Sequence, residues 1–141
     1  MLEIKKYAAI DIGSNAIRLL IANVIVEENK EPQFKKSSLV RVPIRLGADA
    51  FVGGIISKAN IERMTDAMKA FQLLMKINGV EKYKACATSA MREAENGSIV
   101  VAEILKKTGV QIDIIRGKEE AAIISSTDLS ELIESDATYL Y

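Results

Sequence analysis

The chain has 141 residues, of which 49% are apolar and 27% are charged, so it can bury one core and is expected to fold as an ordered single domain. Its 19 Lys and Arg residues balance 19 Asp and Glu residues, and no overall charge attracts it to nucleic acid or to an acidic membrane. One cysteine excludes an internal disulfide framework and a cysteine-rich zinc site, and the lack of histidine excludes Ser-His-Asp and Cys-His nucleophiles. Acid–base chemistry within this chain would therefore depend on carboxylates.

The sequence contains no apolar stretch of the length that spans a membrane. The first residues, Met1–Lys6, run directly into an apolar strand without a signal-peptide core. A single cysteine is also compatible with a reducing compartment. We therefore expect a soluble, cytoplasmic protein.

Two apolar segments separated by a few small polar residues predict a β-hairpin near the start of the chain. Its strands are expected over roughly Tyr7–Asp11 and Ile17–Glu27. At the tip, Gly13 lets the backbone approach an anion closely, and Ser14 and Asn15 add side-chain donors. The tip therefore suits a phosphate.

Two charged residues flank this tip. The carboxylate of Asp11 repels phosphate, so its expected role beside a polyanion is to hold a divalent cation directly or through water. Arg18 returns positive charge to the same region. The alternative is an ordinary hairpin, in which the Asp, Gly, Ser and Asn residues only form the turn.

The remaining elements predict a mixed sheet flanked by helices, because a third antiparallel strand is followed by alternating helices and strands. Ser57 is the expected N-cap of the first long helix, and Gly79 its C-terminal stop. The apolar residues of that helix recur at three- and four-residue spacing and are expected to be core. In chain order, the expected elements are a strand near Phe34–Leu46, a loop through Gly47, Gly53 and Gly54, a helix to Asn78, a strand at Tyr83–Ala87, a helix interrupted near Asn96–Gly97 and closed by Gly109, a strand at Val110–Ile115, and a helix from about Glu119 toward Leu132.

Ligands of such a sheet collect beyond the carboxyl ends of the parallel strands. The loop after the fourth strand carries Thr88, Ser89 and Arg92, and the loop after the fifth strand spans 116–120. The hairpin tip is expected at the same edge. Three polar clusters would then converge on one face of the domain.

Three blocks of this sequence resemble, in order and spacing, those of the exopolyphosphatase/guanosine pentaphosphate phosphohydrolase (Ppx/GppA) family. They are Asp11–Leu19, Ala87–Asn96 and Ile114–Ala121. That family belongs to the actin, Hsp70 and sugar kinase superfamily, so the resemblance implies an α/β, ribonuclease-H-like domain with a mixed five-stranded sheet and flanking helices. Family members have two such domains around a cleft, and this chain resembles the first. Residues 1–134 would form that domain, and 135–141 would begin the connection to an absent C-terminal domain.

The resemblance also implies an activity and roles for single residues. The implied reaction is hydrolysis of terminal phosphoanhydride bonds of inorganic polyphosphate or guanosine pentaphosphate, with Mg²⁺ as the cation held by Asp11. Arg92 matches the arginine that contacts the phosphate chain, and Glu120 matches the carboxylate that activates water, with its neighbour Glu119 as the rival. Arg45 is either a further phosphate contact or a solvated strand arginine. The phosphate-binding set is Gly13, Ser14, Asn15, Arg18, Thr88, Ser89 and Arg45.

Two other functions remain open at this point. One is an ATPase or kinase of the same superfamily, although the Arg92 block and the Glu119–Ala121 block favour the phosphatase branch. The other is a module that binds or senses polyphosphate or an alarmone without hydrolysing it. Because the facing half of the site would be missing, the chain alone is expected to be inactive. The polar stretch Thr127–Asp136 is expected to be a hinge to the following domain, whereas an exposed apolar tail could equally mediate contacts in a homodimer.

Overall fold

The computed structural model describes residues 2–116, which form one five-stranded sheet with helices packed against it. The strands are β1 (Leu2–Ile12), β2 (Ile17–Glu27), β3 (Gln33–Val42), β4 (Lys82–Ala87) and β5 (Ile112–Ile114). The helices are α1 (Leu46–Ala48), α2 (Lys58–Asn78), α3 (Ser89–Glu93) and α4 (Gly97–Thr108), and a π-helical turn spans Asp49–Gly53.

The strand order of the sheet is β3-β2-β1-β4-β5. β1 pairs antiparallel with β2 and parallel with β4, β2 pairs antiparallel with β3, and β4 pairs parallel with β5. The predicted meander followed by parallel strands is therefore confirmed. The carboxyl ends of β1, β4 and β5 lie at one edge of the sheet, together with the β1–β2 turn.

One face of the sheet forms the core with α2 and α4. Alternate residues of β1 and β2 point into it, and they meet the buried stripe of α2 that the sequence predicted. The buried members of that stripe are Met64, Met68, Phe71 and Met75, whereas Ile61 and Leu74 are partly buried at its margin. The stripe therefore packs the fold and does not form a binding groove.

The ends of α2 are those that the sequence predicted. The Ser57 hydroxyl accepts a hydrogen bond from the Asn60 amide at 3.3 Å, as an N-cap does. At the other end, Gly79 adopts the left-handed conformation, with φ of 73°, and its N–H bonds to the carbonyl of Lys76.

The segment between β3 and α2 differs from the prediction of a strand to Leu46 followed by a loop. β3 ends at Val42, because Pro43 has no N–H to continue the ladder. Ile44 and Leu46 are both 0% exposed, so their burial turns the chain into α1 and the π-helical turn. The prediction of a loop was wrong here, because residues 46–53, which include Gly47 and Gly53, form helical turns.

Smaller differences concern strand lengths. β1 begins at Leu2 and is longer than the predicted Tyr7–Asp11, and β5 is shorter than the predicted Val110–Ile115. The helix expected from Glu119 toward Leu132 lies outside the described residues. Within 2–116, every helix is too short or too polar to cross a lipid bilayer.

Candidate functional site

Three polar segments meet at the carboxyl edge of the parallel strands. The Thr88 amide donates to the Ile12 carbonyl at 3.2 Å, and the Ile115 amide donates to the Ala87 carbonyl at 3.0 Å. These bonds continue the ladders past the strand ends and hold the hairpin tip beside the segments that follow β4 and β5. The structure thus brings together the first two predicted clusters and the start of the third.

The hairpin tip is a tight turn. The Gly13 amide donates to the Ala16 carbonyl at 3.0 Å, and a Cβ added at Gly13 would lie 3.3 Å from that oxygen. The Ser14 and Ser89 hydroxyls are hydrogen bonded at 3.0 Å, which ties the tip directly to the start of α3. Asn15 is exposed at the tip. Two predicted phosphate-binding serines therefore lie side by side, from positions 75 residues apart.

Asp11 and Arg18 form an ion pair across the hairpin. They are register partners in β1 and β2, and the Arg18 guanidinium donates to the Asp11 carboxylate. The side chains are 40% and 41% exposed, so both stay accessible from the edge. The predicted cation ligand and the predicted phosphate ligand thus neutralise each other in this arrangement.

Arg41 lies next to this pair and was missed by the sequence analysis. It is the register partner of Arg18 in β3, so its side chain belongs to the same face of the sheet. The alternation of apolar and polar residues along β3, aligned with the register of the hairpin, is the sequence signal that places Arg41 on this face. Arg41 therefore adds a second positive charge beside Arg18.

Arg92 is anchored at the end of β5. Its Nη1 donates to the Ile115 carbonyl at 2.9 Å, and its Nε lies 3.8 Å from a carboxylate oxygen of Glu93. The side chain is 30% exposed. A guanidinium has five N–H donors, so one bond to a carbonyl orients it without exhausting its capacity to bind an anion.

Arg45 does not lie on a strand. It is an exposed residue of the connection between β3 and α1, two residues before Gly47. The Gly47 amide donates to the Ser14 carbonyl at 2.8 Å, and a Cβ added at Gly47 would lie 3.1 Å from the Ser14 Cβ. The description of Arg45 as a strand arginine was therefore wrong, and its segment touches the hairpin tip.

The suitability of this edge for a metal ion depends on Asp11. Mg²⁺ is commonly held by one or two carboxylates, several waters and substrate phosphates, and a half-exposed carboxylate fits such a site. Among residues 2–116, no three Asp, Glu or Cys side chains are grouped closely enough to bind a metal ion by themselves.

Cys86 is the register partner of Asp11 on the other side, in β4. Burial raises the pKa of its thiol; Lys84 acts in the opposite direction, and the nearby carboxylates of Asp113 and Asp11 raise the pKa further. The thiol is therefore neutral near pH 7 and is a poor nucleophile.

The predicted carboxylates Glu119 and Glu120 lie outside the described residues, which end at Arg116, two residues after β5. Of the predicted site, the structure therefore describes the cation ligand Asp11, Arg92 and the phosphate-binding set.

Comparison with known proteins identifies the family to which this fold and these segments belong. The model of the Ppx/GppA phosphatase family matches residues 25–141. The chain belongs to this family. The resemblance to this family is thereby confirmed; the match includes the second and third sequence blocks, and the first block, Asp11–Leu19, precedes it.

Relatives of this Ppx/GppA chain carry two kinds of name. Exopolyphosphatase 1 of Mycobacterium tuberculosis is 27% identical over 118 residues, which are 84% of this chain and 33% of that protein. A guanosine-5'-triphosphate,3'-diphosphate pyrophosphatase of Vibrio cholerae is 28% identical over 118 residues, or 84% of this chain and 23% of that protein. The Ppx/GppA chain thus spans about a third or less of the length of these relatives.

A solved structure supports the same assignment. The crystal structure of the Aquifex aeolicus Ppx/GppA family member is 27% identical and has a TM-score of 0.75, covering 84% of this chain and 37% of that chain. The expected ribonuclease-H-like fold class is therefore confirmed.

Proposed function

We propose that the full-length protein containing this chain hydrolyses terminal phosphoanhydride bonds of inorganic polyphosphate or guanosine pentaphosphate and releases phosphate. The observation that carries the proposal is the contact between the hairpin tip and the Arg92 segment, joined by the Ser14–Ser89 hydrogen bond of 3.0 Å. The names of the relatives, an exopolyphosphatase and a pentaphosphate pyrophosphatase, support the same substrate class.

The described residues offer fixed donors to a linear polyanion. The turn of the hairpin tip is held by the hydrogen bond from the Gly13 amide to the Ala16 carbonyl, and the guanidinium of Arg92 is already oriented by the Ile115 carbonyl. Donors that are held before the substrate arrives need no reorganisation when charge develops on the transferred group, which is the usual source of catalysis in such reactions.

Asp11 is the residue that would hold Mg²⁺, and Mg²⁺ would supply charge neutralisation on the phosphate oxygens. Arg18 occupies one oxygen of the Asp11 carboxylate, so Mg²⁺ would be held by the other oxygen, directly or through water. Arg18 would then remain beside the cation, where its guanidinium could also meet a phosphate oxygen.

Glu120 is proposed as the general base that takes a proton from the attacking water, with Glu119 as its rival. On the helix that the sequence predicts from about Glu119, adjacent positions would differ by about a quarter turn, so only one of the two carboxylates would face the substrate. The test is steady-state phosphate release by the full-length protein with Mg²⁺, measured on polyphosphate, guanosine pentaphosphate and ATP.

Loss of a general base typically lowers the rate by about 10²- to 10⁴-fold, so we expect that loss for Glu120→Gln. Glu119→Gln is the matched control, because it removes the same charge one residue away, and we expect a much smaller change. Undiminished phosphate release by the Glu120→Gln variant would remove Glu120 from the base role. Release from ATP alone would favour the ATPase alternative.

A further inference from the structure

The segment between β3 and α2 is tied to both halves of the candidate site. At one end, the Gly47 amide donates to the Ser14 carbonyl at the hairpin tip at 2.8 Å. At the other end, the Glu95 amide donates to the Gly54 carbonyl, also at 2.8 Å. Residues 47–56 therefore bridge the hairpin tip and the segment that carries Arg92.

Asn96 makes the main contact at the second end. Its Oδ1 accepts from the Ile56 amide at 2.8 Å, and its Nδ2 donates to the Ile56 carbonyl at 3.0 Å. One side chain thus satisfies both backbone groups of a residue that is 1% exposed and 40 residues away in sequence. An unpaired backbone group at a buried position is costly, so this contact defines where the segment sits.

Two further contacts make the bridge stiff. The Asp49 carboxylate accepts from the Ser57 amide and from the Asn60 side chain, both at 2.8 Å. On the other side, a Cβ added at Gly97 would lie 2.0 Å from the Met91 carbonyl oxygen, so the chain turns tightly between α3 and α4. The residue beside Asn96 is therefore closely packed against the residue that precedes Arg92.

These contacts close a ring. The Ser89 and Ser14 hydroxyls form the first link, and the backbone bond between Ser14 and Gly47 forms the second. The chain then leads from Gly47 to Ile56, which is bonded to the side chain of Asn96. From Asn96 the chain returns along α3 to Ser89. The ring contains both of the segments that we propose to contact phosphate.

We propose that Asn96 is a positioning residue that sets the spacing between the hairpin tip and the Arg92 segment. Asn96 does not touch substrate. It acts through residues 47–56, whose first residue, Gly47, is bonded to the hairpin tip. The consequence for catalysis rests on the proposed phosphoanhydride hydrolysis, whereas the structural coupling does not.

The test compares Asn96→Ala with Gln72→Ala in the full-length protein. Gln72 is a matched control, because its Nε2 also makes a long-range bond to a backbone carbonyl, that of Thr108 at 2.6 Å, away from the ring. Two measurements are made on each variant: hydrogen exchange of the Gly47 amide, and kcat and KM for phosphate release with Mg²⁺.

We expect exchange at Gly47 to quicken by about tenfold or more in Asn96→Ala and to stay unchanged in Gln72→Ala. The fall in kcat/KM of Asn96→Ala should be about tenfold to hundredfold and should lie mainly in kcat, because misplaced groups still attract a polyanion but no longer align it. Asn96→Asp keeps an acceptor for the Ile56 amide but places a carboxylate oxygen, which repels it, against the Ile56 carbonyl. It serves if Asn96→Ala does not fold and should shift both readouts in the same direction.

Unchanged Gly47 exchange in the Asn96 variants would overturn the inference, as would equal kinetic losses in Asn96→Ala and Gln72→Ala. If the wild-type protein releases no phosphate, the proposed function fails, and the exchange measurement alone decides whether Asn96 couples the two segments.

Discussion

Asp11 and Arg18 show how a single ion pair can serve the site more than the fold. Both side chains are about two-fifths exposed, at 40% and 41%, so water screens their attraction. Exposed pairs of this kind typically stabilise a fold by about 0.2–1 kcal/mol. The pair therefore matters chiefly as a carboxylate held beside a guanidinium at the edge of the sheet.

A double-mutant cycle tests this at the residue scale. We expect the unfolding free energies of Asp11→Asn, Arg18→Gln and the double variant to give a coupling energy below about 1 kcal/mol. If Asp11 holds the cation as we propose, the Asp11→Asn variant of the full-length protein should also need a higher Mg²⁺ concentration for half-maximal phosphate release, because the charge of that oxygen ligand is lost.

The control for this cycle is the ion pair of Glu103 and Lys107 on α4, which is 2.8 Å long and similarly exposed. Removing it should cost equally little stability and leave the Mg²⁺ dependence unchanged. A coupling energy of about 2 kcal/mol or more, or an unaltered Mg²⁺ requirement in Asp11→Asn, would contradict this account.

At the scale of the element, local signals decided what the sequence could predict. The N-cap at Ser57, the apolar stripe and Gly79 are all encoded within α2 itself, so its bounds were predicted to the residue. In the segment before α2, Ile56 is bonded to Asn96, 40 residues further along the chain, and no local pattern contains that contact. The loop prediction rested on the glycines of the segment, which are the only local signal there.

The Asp49 carboxylate accepts hydrogen bonds at the N-terminus of α2, and protonation of Asp49 should weaken those hydrogen bonds. Burial by itself would raise the pKa of Asp49, but hydrogen bonds from the backbone and side chain of Ser57 and from the side chain of Asn60 outweigh it and hold the pKa below 3.8. The folded state therefore binds fewer protons than the unfolded state near that pH. The stabilisation is fully present above the unfolded pKa and is lost as the pH falls through the folded pKa.

We expect Asp49→Asn to lose less stability than the wild type when the pH is lowered from about 6 to about 3, as measured by urea unfolding. Asp66→Asn, an exposed carboxylate of α2, is the control and should follow the wild-type pH profile. Identical acid profiles for Asp49→Asn and the wild type would show that the hydrogen bonds at the start of α2 do not depend on that charge.

For the whole molecule, the sheet topology explains why the site could be predicted in outline but not in its contacts. Three blocks of local sequence lie after strands that end at the same edge, and the topology brings them together. The partners of the individual side chains come from distant parts of the chain, as in the bond from Arg92 to the Ile115 carbonyl, 23 residues away. The anchoring of Arg92 therefore became visible only in the folded chain.

The length of its relatives bears on how much activity this chain has alone. The match covers 33% of the Mycobacterium tuberculosis protein and 23% of the Vibrio cholerae protein, so about two thirds or more of each relative lies outside it. Effective alignment of water, cation and phosphate needs groups from both sides of a closed site. We therefore expect the isolated 141-residue chain, shown to be folded by circular dichroism, to release phosphate at least about 10²-fold more slowly than the full-length protein assayed in parallel. It should still bind polyphosphate weakly, through the hairpin tip and Arg92, and Arg92→Ala should remove that binding. Turnover by the isolated chain within about tenfold of the full-length rate would mean that this domain supplies a complete site.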